Sequence, residues 1–391
     1  FRLKLSEGED RKLKIFSGCC RFVWNKALAV QDERFQDENC KLLSQVELMR
    51  SISDWKQEYT FLTEPHAQTL QQAIKDLDLA YKNFFRRLKK IRSGDFSEGD
   101  NPGYPRFKKK YVHDSFRFPQ GFKLKGRHIL LPKIGWLRFY KSREVEGIPK
   151  NVTVTRDGPH WYVSVQVEQE VSDPDPAREP SAGVDLGISR FLTLSDGSFK
   201  EPLNAFRSLE EKLAKEQRKL SRKVKFSANW KKQKATVNRV HRKIRDSRKD
   251  FLHKVSTELS QDYAVLFVEG LNTRGMSASS RGTVDNPGTN VRAKSGLNKA
   301  ILDQGWSEFL RQLEYKLSWK GGMLVKVPPQ HTSQGCSQCG VVSAGSRKSQ
   351  SRFECPACGL KINADHNAAI NIATLGQREC NACGDERELL S

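Results

Sequence analysis

Four cysteines near the C-terminus restrict the fold more than any other residues. Cys336-x2-Cys339 is followed by fifteen residues and then by Cys355-x2-Cys358. A C-x2-C pair lets two thiolates of one tight turn approach the same tetrahedral ion, and Gly340 and Gly359, next after each pair, ease those turns. Two pairs close the shell at four sulfurs and leave no open position, so the expected metal is structural. Zinc is favoured, although an iron–sulfur cluster is compatible with the same spacing. Cys380-x2-Cys383 has no second pair to complete it and reads as two non-ligating thiols in a loosely held tail. Cys19, Cys20 and Cys40 read as core or surface residues, and His331 is superfluous beside four sulfurs.

Charge indicates the partner. The 391 residues include 68 Lys+Arg against 46 Asp+Glu, a net charge of +22. The excess is concentrated: residues 206–254 hold eighteen Lys+Arg and five Asp+Glu, which suits a phosphate-contacting surface better than a merely solvated helix face. No apolar run reaches the roughly 18 residues that would span a bilayer. Nine cysteines, four of them in metal spacing, fit a reducing cytosol rather than a disulfide framework, so a cytoplasmic, nucleoid-associated location is expected. The chain starts at Phe1, so the native N-terminus is expected upstream.

Along the chain, residues 1–5 alternate like a short strand. Helical spacing then runs from Glu9 to Arg34 through Leu13, Phe16, Cys20, Val23 and Ala27, and from Pro65 to Arg92 through Leu70, Ile74, Leu77, Tyr81, Phe84 and Leu88. Residues 107–171 are short β-branched or aromatic runs, with a hairpin turn at Asp157-Gly158, and predict a small antiparallel β-domain. A Pro- and acid-rich linker covers 171–181. Two apolar strands follow within residues 182–199, then basic helices over Ala205–Val224 and Asn229–Gln261, and a buried strand ending at Glu269. Residues 273–298 lack a stripe and read as a mobile loop. A helix over Ala300–Lys320, with Asp303 as its N-cap, a strand at 323–327, the cysteine segment and a short helix from Asp365 complete the chain. Strands alternating with helices predict an α/β domain with a mixed sheet.

Three acids stand at special places: Asp185 in GVDLG, Glu269 at the end of VLFVEG, and Asp365 where the last helix starts. Taken singly, an Asp beside Gly is a turn former and an Asp at a helix start is an N-cap. Taken together in a basic α/β domain, they suit a site where two Mg²⁺ ions drive hydrolysis of a phosphodiester, because Mg²⁺ takes hard oxygen ligands. Asp196 and Asp262 read as a turn residue and a helix-end residue.

The ordered motifs GVDLGI, FVEGLN, TSQGCSQCG, FECPACG and ADHNAAINI, with GCCRFVWNKALA, AYKNFFRR, YPRFKKK and LPKIGWLRF before them, resemble the TnpB family across nearly the whole chain. TnpB proteins are RNA-guided nucleases of bacterial insertion sequences and relatives of the compact type V CRISPR effectors. The resemblance implies a multidomain α+β protein. A wedge-like β-barrel would be built from 1–8 and 104–172, with a helical recognition lobe over 9–103. A RuvC nuclease domain with an RNase H-like sheet would cover 181–330 and 362–379, with a zinc-binding target-nucleic-acid insert over 331–361 and a tail over 380–391. It makes Asp185, Glu269 and Asp365 the catalytic acids. It implies a guide RNA and target double-stranded DNA as partners of a monomeric ribonucleoprotein. Gln71 falls where the family carries a glutamine facing the target-flanking duplex, and Lys82 is a backbone-contact candidate. Where the family often reads D-R-D, this chain reads Asn363-Ala364-Asp365, which keeps the second acid. The expected activity is RNA-guided DNA cleavage. The alternatives are a CRISPR-array effector with the same chemistry, and a nuclease-inactive guided repressor, which would be expected to lack one of the acids. A strand-transferring transposase, the remaining rival, would not be expected to carry the cysteine insert.

Overall fold

The structure is a computed structural model. It describes all residues except 37–40, 95–100, 111, 113, 171–178 and 389–391, and the backbone alone of 381–388. Cys40, most of the 171–181 linker and the Cys383 side chain therefore lie outside the described residues. The chain divides into two compact units, Phe1–Val171 and Ser172–Ser391. Among the described residues no helix is long and apolar enough to cross a membrane.

In the first unit, strand β1 (Leu3–Lys4) is followed by helices α1 (Glu7–Gln36), α2 (Gln45–Glu58) and α3 (Ala67–Arg92). Strands β2 (Ser115–Phe118), β3 (Lys123–Lys125), β4 (His128–Leu131), β5 (Gly135–Phe139), β6 (Ile148–Asp157) and β7 (His160–Glu168) come next. The start of α2 is set by a capping box, with Ser44 and Glu47 each accepting from the other's backbone N–H. That helix carries Leu48, Ile52 and Trp55 into the core and was missed by the sequence analysis. The strands form antiparallel sheets β1-β5-β4-β3 and β2-β6-β7. Phe1 and Val163 exchange backbone hydrogen bonds, and Arg2 bridges Tyr162, so β1 joins the two sheets. The Asp157-Gly158 turn connects β6 to β7 as expected. A single apolar cluster spans the helical stripes and the strands: Leu13, Phe16 and Val23, Leu70, Ile74 and Leu77, and Phe118, Val154 and Trp161 all belong to it.

The second unit begins with β8 (Ser181–Leu186), β9 (Leu192–Leu194) and β10 (Phe199–Lys200). Helices α4 (Glu210–Ser221) and α5 (Ala228–Asp262) precede β11 (Val265–Glu269). Then come α6 (Thr273–Met276), α7 (Val291–Gln304), α8 (Trp306–Ser318) and β12 (Met323–Val327), followed by β13 (Arg352–Glu354), β14 (Lys361–Asn363) and α9 (Ala364–Glu388). The main sheet runs β10-β9-β8-β11-β12, with β8, β11 and β12 parallel and β9 and β10 antiparallel. This is the expected mixed sheet. Side chains alternate across it: Ala182, Val184, Leu186, Leu266 and Val268 pack with α5 and α8, while Val265 and Phe267 pack with α9.

Four expectations change. Of residues 273–298, placed in a mobile loop, 273–276 and 291–298 are helical, the latter as the start of α7. The first three turns of α7 bury nothing and so carry no apolar stripe, and Asn298 fixes the helix by donating to the carbonyls of Ser277 and Ala278. The single helix expected over 300–320 is two helices, divided at Gly305, whose φ of 71° is left-handed. Asp303 is therefore no N-cap of its own helix. It is buried, accepts from the backbone N–H groups of Phe206 and Arg207, and pairs with Arg248 at 2.6 Å. The last helix is long, reaching Glu388, so residues 380–388 continue α9 rather than forming a loose tail. In addition, α4 starts at Glu210 after a 3-10 turn at Arg207–Leu209, later than expected.

Candidate active site and cysteine centre

Asp185 and Glu269 stand at the carboxyl ends of neighbouring parallel strands, one register step beyond the Val184–Val268 pair. The alternation that buries Val184 and Val268 against α5 and α8 turns both acids to the face that α9 covers. Gly183, two residues before Asp185, lies on that same face. A Cβ there would fall 2.1 Å from the Ala369 carbonyl oxygen and 2.6 Å from the Ala373 nitrogen. Absence of a side chain thus lets α9 lie directly on β8, which delivers Asp365 from the helix's first turn to the end of the sheet. The cap of α9 is Asn363: its Oδ1 accepts from the backbone N–H of Asp365 at 3.0 Å and of His366 at 3.2 Å. Asp365 is relieved of capping, and its carboxylate is available to the site.

The electrostatics reflect three converging carboxylates. Burial, then the charges of Glu269 and Asp365, push the Asp185 carboxyl up to about 7, against the opposing pull of Arg347. Burial also raises Glu269, opposed by a hydrogen bond from Thr332 Oγ1 and by Arg347. Arg347 Nη2 reaches Asp365 Oδ1 at 3.3 Å. The three acids are not drawn within the 4.8 Å mutual spacing that the cysteines show. A cluster of hard anionic oxygens, with Asp185 held off its normal ionisation and a single guanidinium acting on it, fits a hard divalent cation such as Mg²⁺.

The four cysteine sulfurs lie within 4.8 Å of one another, with Cys336–Cys358 and Cys339–Cys355 each at 3.6 Å. A tetrahedral ion with Zn–S bonds of about 2.3 Å sets its sulfurs roughly 3.8 Å apart, so the cage fits zinc. The two turns have the same construction. Gly340 N–H donates to the Cys336 carbonyl and Gly359 N–H to that of Cys355, with φ of 75° and 74°. Backbone N–H donation, that of Cys358 foremost, draws the Cys355 thiol down to about 6 and favours a thiolate ligand.

This cysteine segment is bound closely to the acid site. Strand β14 runs into the Asn363 cap, and Phe353 is fully buried in a cluster with Cys336, Cys355 and Ala364 of the first turn of α9. Asn367 accepts from Ser337 N–H and donates to the Gly335 carbonyl, while Asn371 donates to the carbonyls of Thr332 and Gly335. His366 Nε2 lies 3.1 Å from the Ser195 carbonyl oxygen and ties α9 to the β9–β10 turn. Arg347, Thr332 and these asparagines were missed by the sequence analysis. Asn363, Asn367 and Asn371 did leave a signal, a four-residue period along one helix face. Arg347 left none.

In the first unit Gln71 and Lys82 are exposed on α3. Eleven residues make about three turns, so they share one helix face roughly 16 Å apart. Lys82 also pairs with Asp78 at 2.8 Å. Asp196 accepts from Ser198 N–H as a turn residue and from Tyr263 Oη, and Asp262 ends α5, both as expected.

A family model described as "Probable transposase" matches residues 164–280, one described as "Cas12f1-like, TNB domain" matches 306–372, and one described as "Helix-turn-helix domain" matches 1–40. The last span holds β1 and one unbroken helix among the described residues. Two relatives carry the name "Putative RNA-guided DNA endonuclease". InsQ of Escherichia coli (strain K12) is 45% identical over 98% of this chain and 93% of its own length. The chain belongs to the TnpB family. The second relative, from Streptomyces pristinaespiralis, is 32% identical over 98% of this chain and 90% of its own length. Among solved structures, "Cryo-EM structure of the Cas12f1-sgRNA-target DNA complex" aligns over 92% of this TnpB chain and 81% of that chain, with a TM-score of 0.50 and 16% identity, a likeness of fold. A compact type V effector-like α+β fold is thus shared despite little sequence in common.

Proposed function

We propose that this TnpB chain is an RNA-guided DNA endonuclease that binds a guide RNA, finds double-stranded DNA beside a short flanking motif, and hydrolyses its phosphodiester bonds. The observation that carries the reading is the convergence of Asp185, Glu269 and Asp365 at one sheet end in a chain whose 45% identical relative bears that name. The three carboxylates would hold Mg²⁺, two ions in the full site. Bound there, the metal supplies activation of water and stabilisation of the leaving oxygen. Thr332 holds Glu269 by its hydroxyl, and Arg347 supplies positive charge against Asp365 and an approaching phosphate. Cys336, Cys339, Cys355 and Cys358 hold structural zinc and keep the segment bearing Thr332 and Arg347 folded.

The proposed domain roles follow the family: wedge at 1–8 and 104–172, recognition lobe at 9–103, RuvC nuclease at 181–330 and 362–379 with 380–388 continuing its last helix, and target-nucleic-acid insert at 331–361. In this scheme Gln71 reads the flanking duplex and Lys82 contacts its backbone, on the common face of α3. The ribonucleoprotein is a monomer working in the bacterial cytoplasm at the nucleoid. A second reading, a CRISPR-array effector, is favoured by the 306–372 match to the Cas12f1-like domain and by the likeness of fold to Cas12f1. The inactive-repressor reading loses support because all three acids are present. Sequencing the RNA that copurifies with the protein tests the proposal: a transposon-end transcript supports it, array-derived RNA moves it to the second reading, and absence of any discrete RNA overturns it.

A further inference from the structure

The turn from α4 to α5 places an exposed phenylalanine beside a half-buried tryptophan among cations. Val224 is 79% and Phe226 66% exposed, and the Phe226 and Trp230 rings lie 5.5 Å apart at 59°. Residues 222–234 contain Arg222, Lys223, Lys225, Lys231, Lys232 and Lys234 and no acid. Among the described residues none of these six is in an ion pair, and two of them sit by the rings: Lys225 is 5.3 Å from the Phe226 centroid and Lys234 4.9 Å from that of Trp230. Phe226 has a φ of 70°, the left-handed region that a bulky L-residue avoids. The conformation costs free energy, and beyond its contacts with Trp230 and Lys225 the ring is presented to water.

The tip is firmly mounted. Ser227 caps α5 by accepting from Trp230 N–H at 3.1 Å, and Gln233 donates to the Glu216 carboxylate at 2.6 Å across the hairpin. Leu213, Val237 and Val240 form a buried seam beneath it.

Resting on the proposed RNA-guided activity, we infer that this tip is a stacking platform for an unpaired stretch of the guide RNA. Every base offers a π-face to Phe226 or Trp230 while the unneutralised cations hold the adjacent phosphates. Charge complementarity excludes an equally basic or neutral partner. The interior of duplex DNA keeps its base faces stacked on one another, whereas loops and ends of RNA expose them and are commonly recognised by aromatic stacking.

The test uses the full chain freed of RNA, with a 4-thiouridine-containing oligo(rU) of about 12 nucleotides as probe, a length within the range such sites bind. Photocrosslinks should map to residues 226–231, a tryptic peptide that holds both rings. The Phe226→Ala/Trp230→Ala protein should bind the oligonucleotide roughly 5- to 100-fold more weakly, and Phe226→Tyr/Trp230→Tyr should restore binding to within about twofold. Unchanged zinc content and circular dichroism show that the variants fold. Crosslinks confined elsewhere, unchanged oligo(rU) affinity in the alanine protein, or a loss confined to duplex DNA or to phosphatidylglycerol vesicles would each overturn the inference. If the tip binds RNA but no guided cleavage is found, the endonuclease reading fails and the platform stands. If cleavage is found and the tip is silent, the reverse holds.

Discussion

Replacing Asp185 with Asn removes one of the three crowded carboxylates and should stabilise the protein in magnesium-free buffer. Its carboxyl is raised from 3.8 to about 7 by burial and by Glu269 and Asp365, so the folded state disfavours the ionised form. The sign follows: with the folded value above the unfolded one, the penalty is absent below about pH 4, grows as pH rises, and is complete above about pH 7. A shift of about three units at about 1.4 kcal/mol each gives roughly 4 kcal/mol at pH 8 and somewhat under 2 kcal/mol at pH 5. Subtracting wild type from Asp185→Asn cancels the titrating groups that do not interact with Asp185, leaving its own term and its coupling to Glu269 and Asp365. The variant's advantage in urea-unfolding free energy should therefore grow by about 2–3 kcal/mol from pH 5 to pH 8. Added Mg²⁺ should stabilise wild type and leave the variant nearly unmoved. An advantage independent of pH, or equal magnesium stabilisation of both proteins, would refute the electrostatic account of the site.

Cys355→Ser should lose bound zinc and expose the 331–361 segment to protease, with metal content by mass spectrometry as the check. Gly183→Ala forces a Cβ against the α9 backbone, so it should cost about 3 kcal/mol by chemical denaturation and lower any cleavage rate by displacing Asp365. Asp303→Ala strips the partner from Arg248 and the acceptor from the Phe206 and Arg207 N–H groups, and should cost roughly 3 kcal/mol of stability by the same assay.

Local patterns made much of the fold legible. The stripes Leu13–Phe16–Val23 and Leu70–Ile74–Leu77 and the apolar strand 265–269 each bury what their period predicts. The cysteine spacing likewise anticipated a four-sulfur cage. What escaped was either surface-borne or remote. Helix α7 has no stripe because it buries little beyond Ile301, Asp303 and Gln304. Asp303 caps backbone almost a hundred positions earlier in the chain, a contact no local rule anticipates. Residues 181–186 and 265–269 had the alternation that puts Asp185 and Glu269 on one face, but only the close approach of α9 at Gly183 adds Asp365. Arg347 reaches the acids through the folding of the cysteine segment and had no spacing to betray it.

The central claim is that the three acids act as one RNA-directed cutting site. The direct measurement is cleavage of linear double-stranded DNA by the purified ribonucleoprotein with its guide segment recoded. The account predicts Mg²⁺-dependent cuts that move to the recoded sequence and vanish in Asp185→Ala, Glu269→Ala and Asp365→Ala while RNA and DNA binding persist. Cuts that ignore the recoded guide, or that continue at the wild-type rate in any of the three variants, would contradict it.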